Sequence, residues 1–517
     1  MSKDKNLERR SISRILISVS DKSGISELAK ELDKIGVELI STGGTSKAIN
    51  DAGVNVVPVE DVTNFPEMMD GRVKTLHPNI FGGILSRDSD LEEVNKHQIK
   101  IIDMVICNLY PFMKAASDGS DLDVLVEKID IGGPSLLRAA AKNHNRVAVV
   151  TDPEDYKWIV SEIKQGGLNL EQRRHLALKA FRHTAEYDSI IQDVLKEQFG
   201  EEDLSPSLHI TGLGNPPLRY GENPHQASVF YSDLLFDGPS VSNARQLQGK
   251  QLSYNNLLDF DAALAIVTEF KEPTAVIVKH NNPCGAASGN DILKAYELAL
   301  RTDPQSAFGG ILSFNREVNS SLAKELISSF KEGIIAPSFT ENALLFLSEK
   351  ENLRVLETGS LDNYQRTNSV RSLDGGWLVQ EPDNVTVALS QCEIVSKRKP
   401  TDQELDALEF GWKIVKHVKS NAILFAKNKQ TVGIGAGQMS RIDSVKIATF
   451  KSIPDAKGTV MASDAFFPFR DGIDEAAKVG VTAVIQPGGS VRDQEVIDAV
   501  NENNMAMIFT GMRHFKH

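Results

Sequence analysis

Residues 14–45 read RILISVSDKSGISELAKELDKIGVELISTGGT. The apolar runs that begin at Arg14 and at Val37 each predict a buried strand, and the segment between them has apolar residues at helical spacing. A second helix that ends near Gly53 leads into a third predicted strand over residues 54–59. Strands that alternate with helices predict a parallel α/β sheet with right-handed connections.

The two junctions between a predicted strand and the helix after it carry small, hydroxyl and glycine residues. They are SDKSG at residues 20–24 and TGGT at residues 42–45. Successive backbone N–H groups at the start of a helix form a site for an anion. One glycine turn is more often a plain tight turn, but two at neighbouring strand ends should lie side by side. Together they favour a phosphate site.

Three later segments add ionisable residues to this part of the chain. They are the loop MDGRVKTLHP at residues 69–78, the strand over residues 101–111 with Asn108 and Tyr110 at its end, and the segment IDIGGP at residues 129–134 before a helix over residues 135–142. The charges of the first segment are expected to converge, because Gly and Pro bound it. For Asp130 and Lys142 taken separately, a surface ion pair is the simpler interpretation.

Residues 275–285, AVIVKHNNPCG, are the strongest candidate for a reaction centre in the second half. The apolar run predicts a buried strand that delivers Lys279 and His280 into a turn set by Asn-Pro and Gly. Histidine transfers protons near neutral pH, and a neighbouring lysine can stabilise developing negative charge. On this local pattern alone, a strand end whose polar residues merely reach water is the simpler interpretation.

Two known motifs are approached here but not completed. GIGAG at residues 433–437 resembles a dinucleotide fingerprint, yet Gln438 stands where its last glycine should be and no acidic residue follows about 20 positions later. His280 and the Pro-Cys pair after it resemble part of a zinc deaminase motif. Its Glu is replaced by Asn282, however, and its second Cys is absent. The sequence therefore predicts neither a Rossmann site nor a bound metal.

The chain has 517 residues, a net charge of −13, and 25% charged against 41% hydrophobic residues. That length predicts roughly two to four domains, because single cores stop growing near 250–300 residues. The acidic balance argues against nucleic acid as a partner. No apolar run is long enough to span a membrane, and the first ten residues lack a secretory signal core. Three scattered cysteines fit a reducing cytoplasm.

An acidic, proline-containing segment, EEDLSPS at residues 201–207, predicts the main domain boundary. It separates a domain at residues 1–200 from a second part at residues 201–517. The second part shows a coarse repetition, in which a helix, a strand and a Gly- and Asn-containing loop occur over residues 260–289 and again over residues 405–437.

Five separated blocks of the first domain resemble a known family. They are SVSDKSG, TGGT, GRVKTLHP, CNLYP and DIGGPSLLRAAAKNH, and they look like the inosine-monophosphate (IMP) cyclohydrolase domain of the bifunctional purine-biosynthesis proteins. That domain is similar in fold to methylglyoxal synthase and to the regulatory domain of carbamoyl-phosphate synthetase. The resemblance covers nearly all of residues 10–200 and implies a methylglyoxal-synthase-like parallel sheet.

The resemblance also implies where a nucleotide binds. Its phosphate and ribose would contact Ser20, Asp21, Lys22, Thr42, Gly43, Gly44 and Thr45. Its base would lie near Arg72, Val73, Lys74 and Thr75, with Cys107, Asn108, Asp130 and Ile131 around it. The catalytic lysine of the family corresponds to Lys142, with Lys74, Tyr110 and Asp130 beside it. In ring closure a cation would stabilise the alkoxide, while a carboxylate or phenol would relay a proton.

Blocks in the second part resemble the transformylase half of the same family. They are PLRYGENPHQ, VKHNNPCGAA, DPQSAFGG, IIAP, SNAILFAKN, GIGAGQMSRID, SDAFFPFRD, QPGGS and RHF. The resemblance implies two cytidine-deaminase-like α/β subdomains without zinc, at about residues 210–375 and 376–517. It also implies transfer of a formyl group from 10-formyltetrahydrofolate to aminoimidazole-carboxamide ribotide (AICAR).

Roles in that reaction follow from the same resemblance. His280 would accept a proton with Lys279 beside it, and Asn421 would orient the ribotide. The other ribotide contacts would be Arg219, Tyr220, Gly309, Glu332, Arg441 and Arg513. The folate contacts would be Phe308, Ile442, Phe466, Asp471, Ser490 and Val491.

The expected protein is thus a cytoplasmic, two-site enzyme with small-molecule substrates, and the family implies a homodimer with shared transformylase sites. One alternative is a single-activity formyltransferase whose first 200 residues only sense a nucleotide. Lys74, Tyr110, Asp130 and Lys142 together are more than phosphate sensing needs. A further alternative is methylglyoxal synthesis, which no motif in the sequence requires.

Overall fold

The computed structural model describes residues 8–200, 207–452 and 454–517. These residues form two compact units, the first ending at Gly212 and the second beginning at Leu213. The predicted boundary at residues 201–207 lies outside the described residues except for Ser207.

The first unit is built on a five-stranded parallel sheet. Its strands are Arg14–Val19 (β1), Glu38–Ser41 (β2), Val57–Pro58 (β3), Met104–Asn108 (β4) and Ala148–Val150 (β5). Their order is β3-β2-β1-β4-β5, and every pair is parallel, as the sequence predicts. The third strand is shorter than the predicted residues 54–59: it begins only at Val57, and the chain enters a helix at Val59.

Ten helices flank this sheet in the described part of the first unit. They are Ile25–Ile35 (α1), Gly43–Asp51 (α2), Val59–Thr63 (α3), Pro78–Leu85 (α4), Leu91–Lys96 (α5), Phe112–Ser117 (α6), Leu122–Glu127 (α7), Gly132–Lys142 (α8), Tyr156–Lys164 (α9) and Leu170–Phe199 (α10). Helix α1 buries Ile25, Leu28 and Leu32 against the sheet and ends at Gly36, whose φ is +82°. Since β2 and β4 both pair with β1, the carboxyl ends of these three strands are neighbours at one sheet edge.

The second unit contains most of the remaining strands and nine helices among the described residues. Its strands are Gly212–Gly214 (β6, which begins at the unit boundary), Tyr231–Asp233 (β7), Arg245–Gln248 (β8), Thr274–Lys279 (β9), Asn282–Ser288 (β10), Ile311–Phe314 (β11), Gly333–Ala336 (β12), Arg354–Glu357 (β13), Ser369–Leu373 (β14), Gly376–Gln380 (β15), Glu393–Ile394 (β16), Ile423–Lys427 (β17), Gln430–Gly435 (β18), Val460–Ser463 (β19), Ala483–Gln486 (β20) and Ala506–Phe509 (β21). Its helices are Tyr254–Val267 (α11), Ile292–Thr302 (α12), Pro304–Ala307 (α13), Ser320–Leu326 (α14), Glu341–Leu347 (α15), Asp402–Val415 (α16), Arg441–Ser452 (α17), Asp471–Lys478 (α18) and Asp493–Glu502 (α19).

Twelve of these strands form one mixed sheet with an internal repeat. Its order is β16-β21-β20-β19-β17-β18-β10-β9-β11-β12-β13-β8, so the two halves mirror each other about the β10–β18 pair. In each half a capped helix leads into an antiparallel hairpin. Equivalent positions in the two halves are 148 residues apart. Thr401 caps α16 as Ser253 caps α11, and Lys427 ends β17 as Lys279 ends β9. The coarse repetition in the sequence reflects this arrangement. The likeness to cytidine deaminase stays a prediction.

Helices α11 and α16 lie on the same face of this sheet. Phe260 of α11 and Leu408 and Trp412 of α16 belong to one apolar cluster, together with strand residues from both halves. The opposite face carries a separate apolar cluster for each half. One of the three cores of the unit is therefore common to both halves.

The predicted turn at residues 282–285 is wrong, because these residues begin strand β10. The turn is formed instead by His280 and Asn281 alone, and Asn282 pairs with Lys279 across it. The pairing shifts register between Pro283 and Gly285, which marks a bulge where a proline can be tolerated in a strand. Among the described residues, none of the helices is long and apolar enough to cross a membrane.

Candidate active sites

A cleft of about 590 Å³ opens at the carboxyl edge of the first sheet. It is lined by residues that follow β1, β2 and β4 and by the loops around residues 71–75 and 126–133. Most of the residues predicted for a nucleotide site line it: Ser20, Lys22, Thr42, Gly44, Thr45, Arg72, Lys74, Thr75, Asn108, Tyr110, Asp130 and Ile131. Five separated blocks of sequence are thus brought to one place.

One end of this cleft is suited to an anion. Helix α2 begins at Gly43, and neither a side-chain cap from Thr42 nor an acidic residue in its first turn neutralises that end. Two ammonium groups lie close to this helix start. Lys74 Nζ is 3.8 Å from the position that a Cβ would take on Gly43, and Lys22 Nζ is 3.8 Å from the corresponding position on Gly44. Backbone N–H groups at a helix start and two ammonium groups form a phosphate site.

Asn108 holds the β1–α1 loop at this cleft. Its Oδ1 accepts hydrogen bonds from the backbone N–H of Ser20 (2.7 Å) and of Asp21 (2.9 Å), and its Nδ2 donates to the Asp21 carbonyl oxygen (3.0 Å). Asn108 is buried. Three of its hydrogen bonds hold this loop, so one effect of Asn108 is to fix the backbone beside the cleft.

The other end of the cleft carries acid–base groups. Burial raises the pKa of the Asp130 carboxyl, although backbone N–H groups of Gly133, Tyr110 and Gly132 and the charge of Lys74 oppose that shift. Burial and the nearby Asp130 also raise the pKa of the Tyr110 phenol. The Asp130 loop is fixed by Tyr187 of α10, whose hydroxyl accepts from Asp130 N and donates to Lys128 O, both at 2.9 Å. Sequence reasoning did not single out Tyr187.

Five predicted residues do not line this cleft. They are Asp21, Gly43, Val73, Cys107 and Lys142. The Asp21 carboxylate accepts from Ser23 N and Oγ instead, and the Cys107 thiol is buried behind the wall, where burial raises its pKa. Lys142 is exposed at the last position of α8. The first residue of this helix, Gly132, lines the cleft, and Lys142 lies about 15 Å from it along the helix axis.

A second, smaller cleft of about 250 Å³ lies in the second unit beside the β9–β10 turn. Both Lys279 and His280 line it, and the imidazole is on an exposed residue. The Lys279 ammonium donates to the Phe308 carbonyl oxygen at 2.8 Å, which directs it across the start of β11. Lys451 of α17 reaches the same cleft and pairs with Asp303. The predicted pair is therefore accessible rather than sealed in apolar packing.

Two residues outside the predicted set, Asp259 and Lys419, also contact this turn. The N–H of Asn281 donates to Asp259 Oδ1 at 2.7 Å. The Asn282 side chain accepts from the N–H of Lys419 at 3.0 Å, which joins the turn to the second half of the sheet. Neither is recognisable from the sequence, because each depends on the pairing of distant segments.

Asn421 and Arg441 belong to a buried polar network at the entrance of β17. The Arg441 guanidinium donates to Asn421 Oδ1 and Ser463 Oγ, both at 2.8 Å, and forms an ion pair with the buried Asp464. Asn421 Nδ2 donates to Gln438 O at 2.8 Å. Arg441 is itself buried, so it reaches this network rather than open solvent.

The remaining predicted contacts are spread along one edge of the twelve-stranded sheet. Glu332 precedes β12 and is paired with Arg354, whereas Ser490 and Val491 follow β20. Seven strand spacings separate β12 from β20, which corresponds to about 34 Å at ~4.8 Å each. Asn421 at β17 is three spacings, about 14 Å, from β9. One chain therefore does not gather the whole set around one small molecule.

Side-chain surroundings differ among these spread residues. Arg219 stacks on Tyr220, with its guanidinium carbon 4.7 Å from the ring centroid, and Arg513 stacks on Phe515 at the same distance. Gly309 lies between Phe308 and the start of β11, while Ile442 and Asp471 lie at the starts of α17 and α18. The folate candidates Phe308, Phe466 and Val491 are exposed. Within the described ranges, no group of three or more His, Cys, Asp or Glu side chains is arranged to hold a metal ion.

Comparisons with known proteins identify families that this chain matches. A family model described as "AICARFT/IMPCHase bienzyme" matches residues 140–451, and one described as "MGS-like domain" matches residues 24–135. The latter match confirms the predicted methylglyoxal-synthase-like fold of the first unit.

Three curated relatives carry the name "Bifunctional purine biosynthesis protein PurH", and each is 51% identical to this chain. Those of Persephonella marina and Halalkalibacterium halodurans align over 98% of this chain and 99% of their own length; that of Aquifex aeolicus aligns over 98% and 100%. The crystal structure of ForH is 37% identical and covers 36% of this chain and 100% of its own, with a TM-score of 0.32.

Proposed function

The chain belongs to the AICARFT/IMPCHase bienzyme family and is therefore a bifunctional enzyme of purine biosynthesis, and we propose that its two clefts divide the two reactions between them. The cleft beside Lys279 and His280 would formylate AICAR. The cleft at the first sheet would close the formylated product, FAICAR, to IMP. The observation that supports this division most is that each cleft lies within a different compact unit.

Formyl transfer needs a base, because the AICAR amine is conjugated to its ring and is a weak nucleophile. We assign His280 as the acceptor of the amine proton while the nitrogen attacks the formyl carbon. The Lys279 ammonium, which lies in the same cleft, would stabilise the negative charge that develops on the formyl oxygen. Collapse of the adduct then releases the donor nitrogen. Orientation of the ribotide by Asn421 is part of the same proposal.

Ring closure joins two groups of one molecule, so positioning supplies much of the rate. The phosphate would bind at the start of α2 with Lys22, and the base would lie beside Tyr110 and Asp130. Lys74 would serve the base end, because its ammonium, although close to Gly43, also acts on the Asp130 carboxyl. As the carboxamide nitrogen attacks the formyl carbon, Asp130 would take its proton and Lys74 would stabilise the alkoxide. Loss of water then completes the ring. This assignment gives Lys74 the role that the family resemblance implies for Lys142.

The formyl donor, the oligomeric state and the location are further parts of this proposal. We infer 10-formyltetrahydrofolate as the donor, held by the exposed Phe466 and Val491, and a homodimer in the cytoplasm. A second copy would explain why the most distant members of the predicted set, Glu332 before β12 and Ser490 after β20, lie seven strand spacings apart in one chain. It would also cover the β14–β15 ribbon, where Trp377 and Leu378 are exposed and which two strands alone stabilise poorly.

The decisive experiment is His280→Ala in the full chain, assayed separately for each reaction. Transformylation should fall by about 10²- to 10⁴-fold, the range for a positioned acid–base group, while FAICAR is still converted to IMP. The matched control is Asn428→Ala, at the equivalent turn of the second half, which should retain both activities. An equal loss of both activities in His280→Ala would contradict separate sites. Failure of the full chain to close FAICAR would favour a first unit that only senses nucleotides.

A further inference from the structure

The turn that carries His280 has an unusual backbone conformation. Both of its residues, His280 and Asn281, have positive φ values, +52° and +61°. Two-residue hairpin turns of this kind normally contain Asn-Gly or Asp-Gly, because side chains with a Cβ disfavour the left-handed region. The sequence of this turn therefore does not by itself hold the conformation, and some contact from outside the turn has to stabilise it.

That contact is the Asp259 carboxylate on helix α11. The N–H of Asn281 donates to its Oδ1 at 2.7 Å. Asp259 is half-buried, and Lys279 and His280 are the charged and titratable side chains whose fields reach it. Hydrogen bonds to a charged acceptor are stronger than those between neutral groups. The Asn281 amide reaches this carboxylate from a turn in which both residues have positive φ.

The second half of the same sheet provides an internal comparison. Helix α16 has the same length as α11 and the same type of capping box, and the position equivalent to Asp259 is Ala407, which is buried. The equivalent turn consists of Asn428 and Lys429, and Asn428 alone of these two described residues has positive φ. The helix–hairpin scaffold thus forms without a carboxylate. The half that lacks the carboxylate also lacks the histidine.

We propose that Asp259 is a positioning residue for formyl transfer, which fixes the His280-Asn281 turn so that the imidazole faces the cleft beside Lys279; this role rests on the proposed function of His280. The carboxylate touches neither substrate nor reacting atoms. The carboxylate acts through the backbone N–H of Asn281, which adjoins His280 in the same turn. Without it, the turn relaxes towards conformations with negative φ, and the imidazole moves relative to the Lys279 ammonium.

The test is Asp259→Ala, measured in the full chain with its native Asn281 and again with Asn281→Gly. Glycine adopts positive φ without strain, so it replaces the conformational support that the carboxylate provides. With Asn281, Asp259→Ala should lower the transformylase kcat by about 10²-fold, as expected when a catalytic group is misplaced by ~1 Å, with little change in KM for AICAR. Relative to Asn281→Gly alone, the same substitution should cost less than about threefold in kcat.

Three outcomes would overturn the proposal. They are an unchanged kcat in Asp259→Ala, an equal loss of kcat in both backgrounds, and a loss that appears as a raised KM alone. If Asp259→Ala is too unstable to assay, Asp259→Leu gives the same comparison, because leucine fills the space but has no acceptor for the Asn281 N–H, and the Tm of each variant identifies a folding defect. Asp406→Ala, at an exposed carboxylate next to Ala407, is the matched control. His280→Ala in parallel separates the two hypotheses: if it keeps activity, the proposed function fails; if only Asp259→Ala keeps activity, this inference fails.

Discussion

Replacing Asn108 with leucine tests how the anion site of the first unit is held. Leucine has a similar size but removes all three hydrogen bonds of the side chain, which leaves the N–H groups of Ser20 and Asp21 and one carbonyl without their partner. A buried group without a partner costs about 1–3 kcal/mol. Because the loop borders a cleft and can recruit water, the low end applies to each group, and the total is about 3 kcal/mol.

Hydrogen–deuterium exchange in peptides that cover the β1–α1 junction measures this cost locally. A loss of about 3 kcal/mol corresponds to exchange roughly 10²-fold faster at Ser20 and Asp21. The KM for FAICAR should rise, because the phosphate site loses its fixed backbone, whereas transformylation in the other unit should not change. Asn95→Leu, at an exposed position of α5, is the control. Unchanged exchange in Asn108→Leu would show that the amide does not hold the loop.

Other substitutions test the assignment of the lysine and the response to acid. Lys74→Met should lower FAICAR cyclisation by about 10²-fold or more, whereas Lys142→Met should retain most of it; the reverse order would restore the role that the family resemblance implies for Lys142. Burial alone would raise the pKa of the Glu404 carboxyl, but hydrogen bonds from Arg398, Thr482 and the Thr401 N–H outweigh burial and lower this pKa to about 2. The ionised carboxylate therefore stabilises the fold above pH 4.5, and this stabilisation is lost as the pH falls towards 2. Glu404→Gln should flatten the Tm profile in that range. Burial lowers the pKa of His417 to about 4, against the effect of Glu269, so stability is lost as the pH falls from about 6.5 to 4. His417→Gln should reduce that loss in the same calorimetric series.

The sequence was sufficient to predict structure where an apolar run and characteristic polar or small residues occur together in a short segment. The parallel sheet could be predicted because β1 and β2 are uninterrupted apolar runs and each is followed by a turn rich in small residues. That the two turns would line one cleft could be predicted for the same reason, since adjacent parallel strands place consecutive turns side by side. Lys279 and His280 were identified because a buried strand ends directly at two ionisable residues.

The rest depends on pairing that a local pattern does not encode. The segment after His280 contains Asn, Pro and Gly, which favour a turn, but a bulge at Cys284 lets it form strand β10. The distance of Lys142 from the cleft depends on where α8 begins, and the helix starts at Gly132, three residues before the predicted position. Asp259 is one of many acidic residues in the sequence, and it meets the turn only because α11 packs beneath the hairpin.

The apolar cluster common to α11 and α16 constrains how the enzyme can evolve. Substitutions in the half without the histidine are constrained, because Leu408 and Trp412 pack in the same apolar cluster as α11, the helix that carries Asp259. Substitutions that merely reshape α16 are transmitted through that cluster to a reaction centre they never touch. The half that carries Lys279 and His280 therefore shares its core with the other half, and that other half also carries Asn421 of the proposed ribotide site.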